Sequence, residues 1–372
     1  MLTQINLQTN FGGGEVYTAF LCRALNVLGI STKLLIHPHA LFWQELKLPK
    51  NTTLVKVNPK LLADSISIKD TWILGHGALP HSVLKIKDNR LKTAIAHLPI
   101  QGRDPGSYRK HDIVFPVSIW VQQGLKDNNI PTWDVPLYGV ADLSERKKDF
   151  IIRKASRYDW DKRKVRDLLF GKIEPFIQPL LSKPEFVKKP GVTLGIVSRI
   201  TPIKQFPLLF SLLSIILSKY PQFNIEIFGS GGYASVRDLR KALYPIRDRV
   251  RFWGYQSGIS SVYNNIDYLM TGLPEREALG LNILEAQVCG TPVLAPNNLP
   301  FTETILDGKT GFLYTDPRED SGENFEKLLN KILSLTKKIN PNSQTQHLEK
   351  FAMVSFTNRI EDIVNWVKKE GY

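Results

Sequence analysis

Cysteine is nearly missing from this chain: Cys22 and Cys289 are the only two among 372 residues. Two thiols in opposite halves cannot form the disulfide framework of a small secreted domain, and they leave no cysteine-based zinc site; they suit a reducing compartment. Long apolar runs are lacking too. The longest, Phe206 to Leu217, contains two serines and falls short of the roughly 20 residues that span a bilayer. No charged n-region with an apolar h-region precedes the first β-rich run, Leu2 to Leu7, so no signal peptide is read. These absences point to a cytoplasmic chain that can sit at a membrane without crossing it. Internal repeats and low-complexity tracts are missing as well, and 42% hydrophobic with 23% charged residues fits a globular rather than a fibrous or disordered protein. The length makes two domains the natural expectation.

Acidic residues are in deficit: 35 Asp and Glu stand against 49 Lys and Arg, a net charge of +14 with a pI near 9.6. Such an excess calls for an anionic partner: nucleic acid, an anionic membrane or a phosphorylated substrate. The surplus is uneven. Residues 1–142 carry +5, residues 143–189 carry +7, and residues 190–372 only +2. The core of the basic segment is Arg146, Lys147, Lys148, Arg153, Lys154, Arg157, Lys162, Arg163, Lys164 and Arg166. It reads either as a solvated linker or as a docking patch for anionic lipid or an anionic acceptor.

Short β-rich runs alternate with helical patterns throughout, which is the signature of α/β layering. In the first half the expected strands are Gln4–Leu7, Thr32–Ile36, Thr53–Val57, Thr71–Leu74, Thr93–Ala96, Ile113–Val117 and Thr132–Pro136. The first helix is expected from about Glu15 to Leu28, with Val16, Ala19, Phe20, Ala24 and Val27 on its apolar face. After Pro184 and Pro190 a second series follows: Thr193–Val197, Asn224–Phe228, Val250–Trp253, Tyr268–Met270, Pro292–Ala295 and Gly311–Tyr314. Helices Phe206–Lys219 and Leu281–Cys289 fall between its members, and a last helix runs from Ser355 to Lys369. The expected organisation is an N-terminal Rossmann-like domain over 1–142, a basic connector over 143–189 and a C-terminal Rossmann-like domain over 190–351. The closing helix, 352–372, packs back on the first domain.

Four segments carry chemistry. Gly12-Gly13-Gly14 falls between the first strand and its helix, where glycines admit close approach and the helix start favours anions. It is not a G-x-G-x-x-G pattern, and no acidic residue follows at the ribose-binding spacing, so a dinucleotide site is not indicated. Arg199 and Lys204 follow the strand Thr193–Val197, at the strand end where open α/β sheets bind ligands, and two cations there suit a pyrophosphate. Glu277 and Glu285 stand eight residues apart, one in a loop and one four residues into a helix. The backbone N–H groups of Leu279, Gly280, Leu281 and Asn282 lie between them, able to cap an anion or sugar hydroxyls. Thr302 to Leu313 forms a turn-rich entry to the last strand. The D-x-D triplet Asp159-Trp160-Asp161 lies inside the basic connector and follows no expected strand, so it is not read as a metal site.

Taken in order, these residues resemble a retaining glycosyltransferase of GT-B architecture, in the large family four of nucleotide-sugar-dependent enzymes. The resemblance covers nearly the whole chain. It runs through Gly12, Gly13 and Glu15, His97, Val117-Ser118, Tyr138-Gly139-Val140, Arg199 and Lys204, and Phe228-Gly229-Ser230-Gly231. The E-x7-E pair Glu277 and Glu285, Cys289-Gly290-Thr291-Pro292-Val293 and Asp307-Gly308-Lys309-Thr310-Gly311 complete it. It implies two Rossmann-like domains facing across a cleft, with transfer of a sugar from a UDP- or GDP-linked donor to a glycan or glycolipid acceptor. The anomeric configuration would be retained, no metal or cofactor would be required, and cell-surface polysaccharide or lipopolysaccharide synthesis would be the setting. By the same resemblance Arg199 and Lys204 would hold the diphosphate with the Gly12–Gly14 amides, Glu285 the ribose, and Glu277 and His97 the donor sugar.

The sequence departs from the family pattern in places. Ala278-Leu279 replaces the usual Gly-Phe, which questions any positive φ at Ala278. Leu273-Pro274-Glu275-Arg276 replaces the usual Pro-Ser. An extra residue precedes Asp142, and Asn298-Leu299-Pro300 stands where Gly-Gly is common. A nucleotide-sugar 2-epimerase or a glucan synthase shares this fold and remains an alternative, as does a catalytically dead scaffold. A nucleic-acid-binding protein is disfavoured by the absence of helix-turn-helix, RNP and zinc-finger patterns.

Overall fold

The computed structural model describes residues 2–100, 103–141, 143, 150–160, 171 and 184–372. The chain divides into two compact units. The first comprises Met1–Ala141 with Glu349–Tyr372, and the second Asp142–Leu348. Each is built on a six-stranded, all-parallel sheet.

In the first unit the strands are β1 Leu2–Asn6, β2 Thr32–Ile36, β3 Thr52–Lys56, β4 Trp72–His76, β5 Leu91–Ala96 and β6 Ile113–Pro116. Their spatial order is β3-β2-β1-β4-β5-β6. β1 is buried at every residue, as expected of a central strand covered on both faces. The first helix, Gly13–Val27, buries Tyr17, Phe20, Leu21, Ala24 and Leu25. It packs against the closing helix Met353–Lys369, which brings Ile360 and Ile363 to the same apolar pocket as Leu21 and Leu25. Tyr17 stacks edge-on against Phe356 and donates from its hydroxyl to the Leu137 carbonyl.

The seventh strand expected here, Thr132–Pro136, does not form. Thr132 makes a single bridge to Val114, and Trp133 donates one backbone bond to the Val114 carbonyl. Pro131 precedes the segment and Pro136 ends it, neither with an N–H to give, and the pairing stays at isolated bonds.

The second unit repeats the arrangement with β7 Val192–Val197, β8 Phe223–Phe228, β9 Val250–Gly254, β10 Tyr268–Met270, β11 Val293–Pro296 and β12 Gly311–Tyr314. Their order, β12-β11-β10-β7-β8-β9, is the doubly wound order of the first sheet. The helix Phe206–Ser218 buries Phe206, Leu209, Phe210, Leu213 and Leu217 against one face of the sheet. On the other face Val262, Tyr263, Ile283 and Ala286 pack over Val197, Leu269 and Val293. Between β8 and β9 the buried Glu226 accepts from Arg251 Nη2 at 2.6 Å and from Trp253 Nε1 at 2.6 Å.

The described part of the basic segment belongs to this second unit rather than standing apart. Ile152 and Phe186 pack into its core, and Tyr158 bridges Gly231. Arg146, Lys147, Lys148, Lys162, Arg163, Lys164 and Arg166 lie outside the described residues. No helix among the described residues is long and apolar enough to cross a membrane.

Candidate functional site

In both sheets the strand order reverses between two neighbours: β1 and β4 in the first, β7 and β10 in the second. Loops leaving such a pair part to opposite sides, and the crevice between them is where open α/β sheets take ligands. The residues singled out from sequence concentrate at these two places.

In the second unit Arg199 follows β7 on the exposed rim, and Lys204 ends a short 3-10 turn, Pro202–Lys204. Across the switch point, the chain leaving β10 turns through Gly272 and reaches Glu277. Leu273 N–H donates to the Lys204 carbonyl at 3.2 Å, and a Cβ on Gly272 would lie 2.0 Å from that carbonyl oxygen. Only glycine lets the two loops approach this closely. The contact brings the Lys204 ammonium and the Glu277 carboxylate into a direct ion pair, with both side chains partly shielded from solvent. The two are 73 positions apart in sequence.

The helix Leu281–Val288 begins at Gly280, whose φ of +81° lies in the left-handed region. The Leu281 and Asn282 N–H groups at its start have no partners within the helix. Ala278 takes an ordinary negative φ, being absent from the described residues with φ above zero, so the replacement of glycine there costs the loop nothing. The Asn282 amide is committed to the Val197 carbonyl at the end of β7, 3.2 Å away, which leaves its backbone rather than its side chain for a ligand. One turn on, Glu285 Oε2 accepts from the Tyr263 hydroxyl at 2.9 Å. Leu279 is buried and Leu281 partly so. Beside this loop Arg318 pairs with Glu275 and Asp316, tethering the segment that departs from the family pattern.

Asp307-Gly308-Lys309-Thr310-Gly311 is structural. Thr310 Oγ1 accepts from Gln287 Nε2 and from Leu306 N–H, and Asp307 accepts from Leu313 N–H. The Gly229–Gly231 turn lies beside Arg199, since Ile200 bridges Gly231. Of the D-x-D triplet, Asp159 donates its N–H to the Gly231 carbonyl, while Asp161 lies outside the described residues. Among the described residues no group of three or more His, Cys, Asp or Glu is placed to hold a metal ion.

In the first unit the helix starts two residues earlier than expected. Gly12 is its N-cap in an extended conformation, and Gly13 and Gly14 are its first helical residues. A Cβ on Gly14 would meet nothing within 4 Å, so the protein's own packing does not require a glycine there. His97 follows β5, partly exposed. Its Nε2 lies 3.2 Å from Nδ1 of His76, the last residue of β4, and its ring meets Tyr17 edge-on. Enclosure of the ring lowers the His97 pKa to about 4. His76 is likewise held well below the usual histidine range, by burial first and by His97 second. Gln4, Asn6, Thr18, His76 and Gly272 are parts of these sites that sequence reasoning missed. The only cue to the polar ones is polar side chains at strand and helix positions that the apolar pattern places inside.

With that geometry in place, comparison with known proteins shows what the chain is similar to. Residues 179–346 match the sequence model of the family Glycosyl transferases group 1. The whole chain superposes on Anabaena HepE, solved in complex with UDP and glucose, with a TM-score of 0.70 and 16% identity, covering 98% of this chain and 99% of that one. This is the GT-B fold, and residues 179–346 are similar to the group 1 glycosyl transferases. Among curated relatives, an uncharacterized glycosyltransferase of Haemophilus influenzae is 29% identical over 188 residues, half of each chain. The alpha-1,3/1,6-mannosyltransferase ALG2 of Dictyostelium discoideum is 34% identical over 91 residues, 24% of this chain and 21% of that one. The matches thus span half or less of the length of these curated relatives.

Proposed function

We propose that this protein transfers a sugar from a nucleoside diphosphate donor to a glycan or glycolipid acceptor, with retention at the anomeric carbon and without a metal ion. The observation that carries the reading is the Lys204–Glu277 pair across the switch point of the second sheet, with Arg199 on the same loop as Lys204 and the start of Leu281–Val288 tied to the end of β7 through Asn282. Glycosyl transfer builds positive charge on the sugar and negative charge on the departing diphosphate. Fixed cations at the place where that negative charge develops lower the barrier, most effectively in a site screened from water. Arg199 and Lys204 take that part, assisted by the backbone amides of Leu279 to Asn282. Glu277, released from Lys204 when a diphosphate takes the ammonium, turns to the donor sugar. Glu285, oriented by Tyr263, accepts from ribose hydroxyls. His97 contacts the donor sugar. Attack on the same face, with the leaving phosphate oxygen taking the acceptor's proton, needs no protein nucleophile and gives retention.

HepE was solved with UDP, which supports a nucleotide-sugar donor for this chain. A cytoplasmic position at the inner face of a membrane, in the synthesis of surface polysaccharide or lipopolysaccharide, completes the proposal. The test is a thermal-shift screen of UDP, GDP and ADP with their sugars, followed by transfer assays with and without EDTA. One diphosphate should stabilise the protein, and Lys204→Ala should abolish that stabilisation and lower kcat by roughly 100-fold or more. Full transfer by both Lys204→Ala and Arg199→Ala with a confirmed donor would remove the reading.

A further inference from the structure

A chain of polar side chains runs through the interior of the first unit, from β2 to the carboxyl end of β5. Each link is a short contact between groups that are largely closed to water, so every hydrogen has to be accounted for. Thr32 gives its hydroxyl hydrogen to the Leu2 carbonyl and accepts from Gln4 Nε2 at 3.1 Å. With its amide nitrogen thus assigned, Gln4 turns its carbonyl oxygen to His76 Nε2, 2.9 Å away. An amide oxygen only accepts, so the hydrogen in that contact belongs to His76 Nε2. A neutral imidazole carries one N–H, and His76 Nδ1 is therefore a bare lone pair.

That lone pair faces two groups: Thr18 Oγ1 at 3.0 Å and His97 Nε2 at 3.2 Å. Thr18 has one hydrogen, and it is shared between the Gly14 carbonyl at 2.8 Å and the His76 lone pair. Thr18 Oγ1 itself accepts from Asn6 Nδ2 at 3.0 Å. For the two histidines the requirement is stricter. Two lone pairs 3.2 Å apart repel, and His76 has no hydrogen left to share, so the hydrogen between the rings must sit on His97 Nε2. His97 Nδ1 is then the unprotonated nitrogen, and among the described residues nothing donates to it.

We infer that Gln4 and His76 are positioning residues that hold His97 in its Nε2-protonated form. His97 thereby presents Nδ1 as a hydrogen-bond acceptor to a hydroxyl-bearing ligand, a sugar, rather than an N–H to a phosphate. The relay itself stands on the structure alone; only the identity of the hydroxyl ligand as donor sugar rests on the proposed transferase reading.

The two are separable by experiment. Long-range proton–nitrogen spectra of the full chain, with nitrogen-15 in its histidines and His97 assigned through His97→Gln, report which ring nitrogen is protonated. At neutral pH His97 should show Nε2 protonated and Nδ1 bare; a protonated Nδ1 overturns the inference whatever the activity. The side-chain oxygen of asparagine stands near the place of Nδ1, so His76→Asn should preserve the His97 form, and His76→Leu should give a mixture of the two. If His76→Leu leaves His97 unchanged, His76 does not position it. With UDP and UDP-glucose, and with GDP and GDP-mannose, as probe pairs, His76→Leu should weaken the sugar-bearing ligand about ten-fold and leave the bare diphosphate unaffected, the loss of one hydrogen bond. Equal losses in both members of a pair would overturn the assignment to a hydroxyl. Failure of every pair to bind, with the expected spectra in hand, would overturn the transferase reading and leave the relay standing.

Discussion

At the scale of single residues, the site depends on atoms that make no contact with a ligand. Gly272 is the clearest. Its missing side chain leaves room for the Lys204 carbonyl, and the Leu273 N–H seals the approach. A methyl group added there meets backbone rather than a pliable side chain, so one of the two loops must move. Gly272→Ala should cost about 1–3 kcal/mol in urea unfolding, in the range of overpacked interior sites. It should also weaken diphosphate binding measured by calorimetry, although Arg199, Lys204 and Glu277 are all intact. Those three, with Glu285, are legible in the sequence because charge, strand ends and an eight-residue spacing mark them. Gly272 and Tyr263 are not, because their importance comes from which loops cross, and crossing is decided by strand order rather than by neighbours in the chain.

The pairing of His76 with His97 is the next residue-scale feature with a measurable outcome. Both are held neutral in the folded protein, His97 to about 4, whereas an unfolded chain protonates histidine near pH 6.5. The unfolded state therefore binds more protons as pH falls below about 6.5, and stability falls with it until His97 itself titrates near 4. Carboxylates elsewhere titrate in the same interval, so the difference between variants is the readout. The drop in thermal midpoint between pH 7 and pH 5 should be smaller in His97→Gln than in the parent protein. An identical drop would mean that His97 is not held neutral.

At the scale of elements, all twelve strands announce themselves as β-rich runs between helical patterns, with boundaries shifted by a residue or two. The segment 132–136 reads as a strand by composition, but Pro131 before it and Pro136 at its end cannot donate, and its pairing stays at isolated bonds. The first helix starts at Gly13 rather than Glu15, since first-turn positions tolerate residues that would weaken a helix interior. What no pattern reveals is how neighbouring strands share a buried charge. Glu226 is 1% exposed and is held by Arg251 and by Trp253 from the next strand. Glu226→Ala should destabilise the protein by about 3–5 kcal/mol, because it leaves a guanidinium with no carboxylate beside it. Chemical denaturation followed by tryptophan fluorescence would measure it, Trp253 itself reporting the loss.

At the scale of the whole molecule, the net charge of +14 changes meaning once it is placed on the chain. Residues 190–372 are close to neutral, and half of the excess sits in residues 143–189. A basic stretch of this kind suits an anionic lipid surface, which is where a glycolipid acceptor would be met. Co-sedimentation with vesicles should require anionic lipid and should fall steeply between low and physiological salt. Binding that is indifferent to both would separate the segment from any role in acceptor delivery.

The discontinuity of the first unit bears on how the protein is made. Its two stretches, Met1–Ala141 and Glu349–Tyr372, bracket the whole of the second unit. A ribosome working from the N-terminus therefore finishes the second unit first, although it began the other one earlier. Throughout that interval the helix Gly13–Val27 waits without the helix Met353–Lys369, and its Leu21 and Leu25 lack the cover of Ile360 and Ile363. At about 5–20 residues per second, the roughly 200 residues in between take ten seconds or more to synthesise. For that time the nascent chain carries an open apolar groove, so the interval of greatest exposure falls during translation rather than after release.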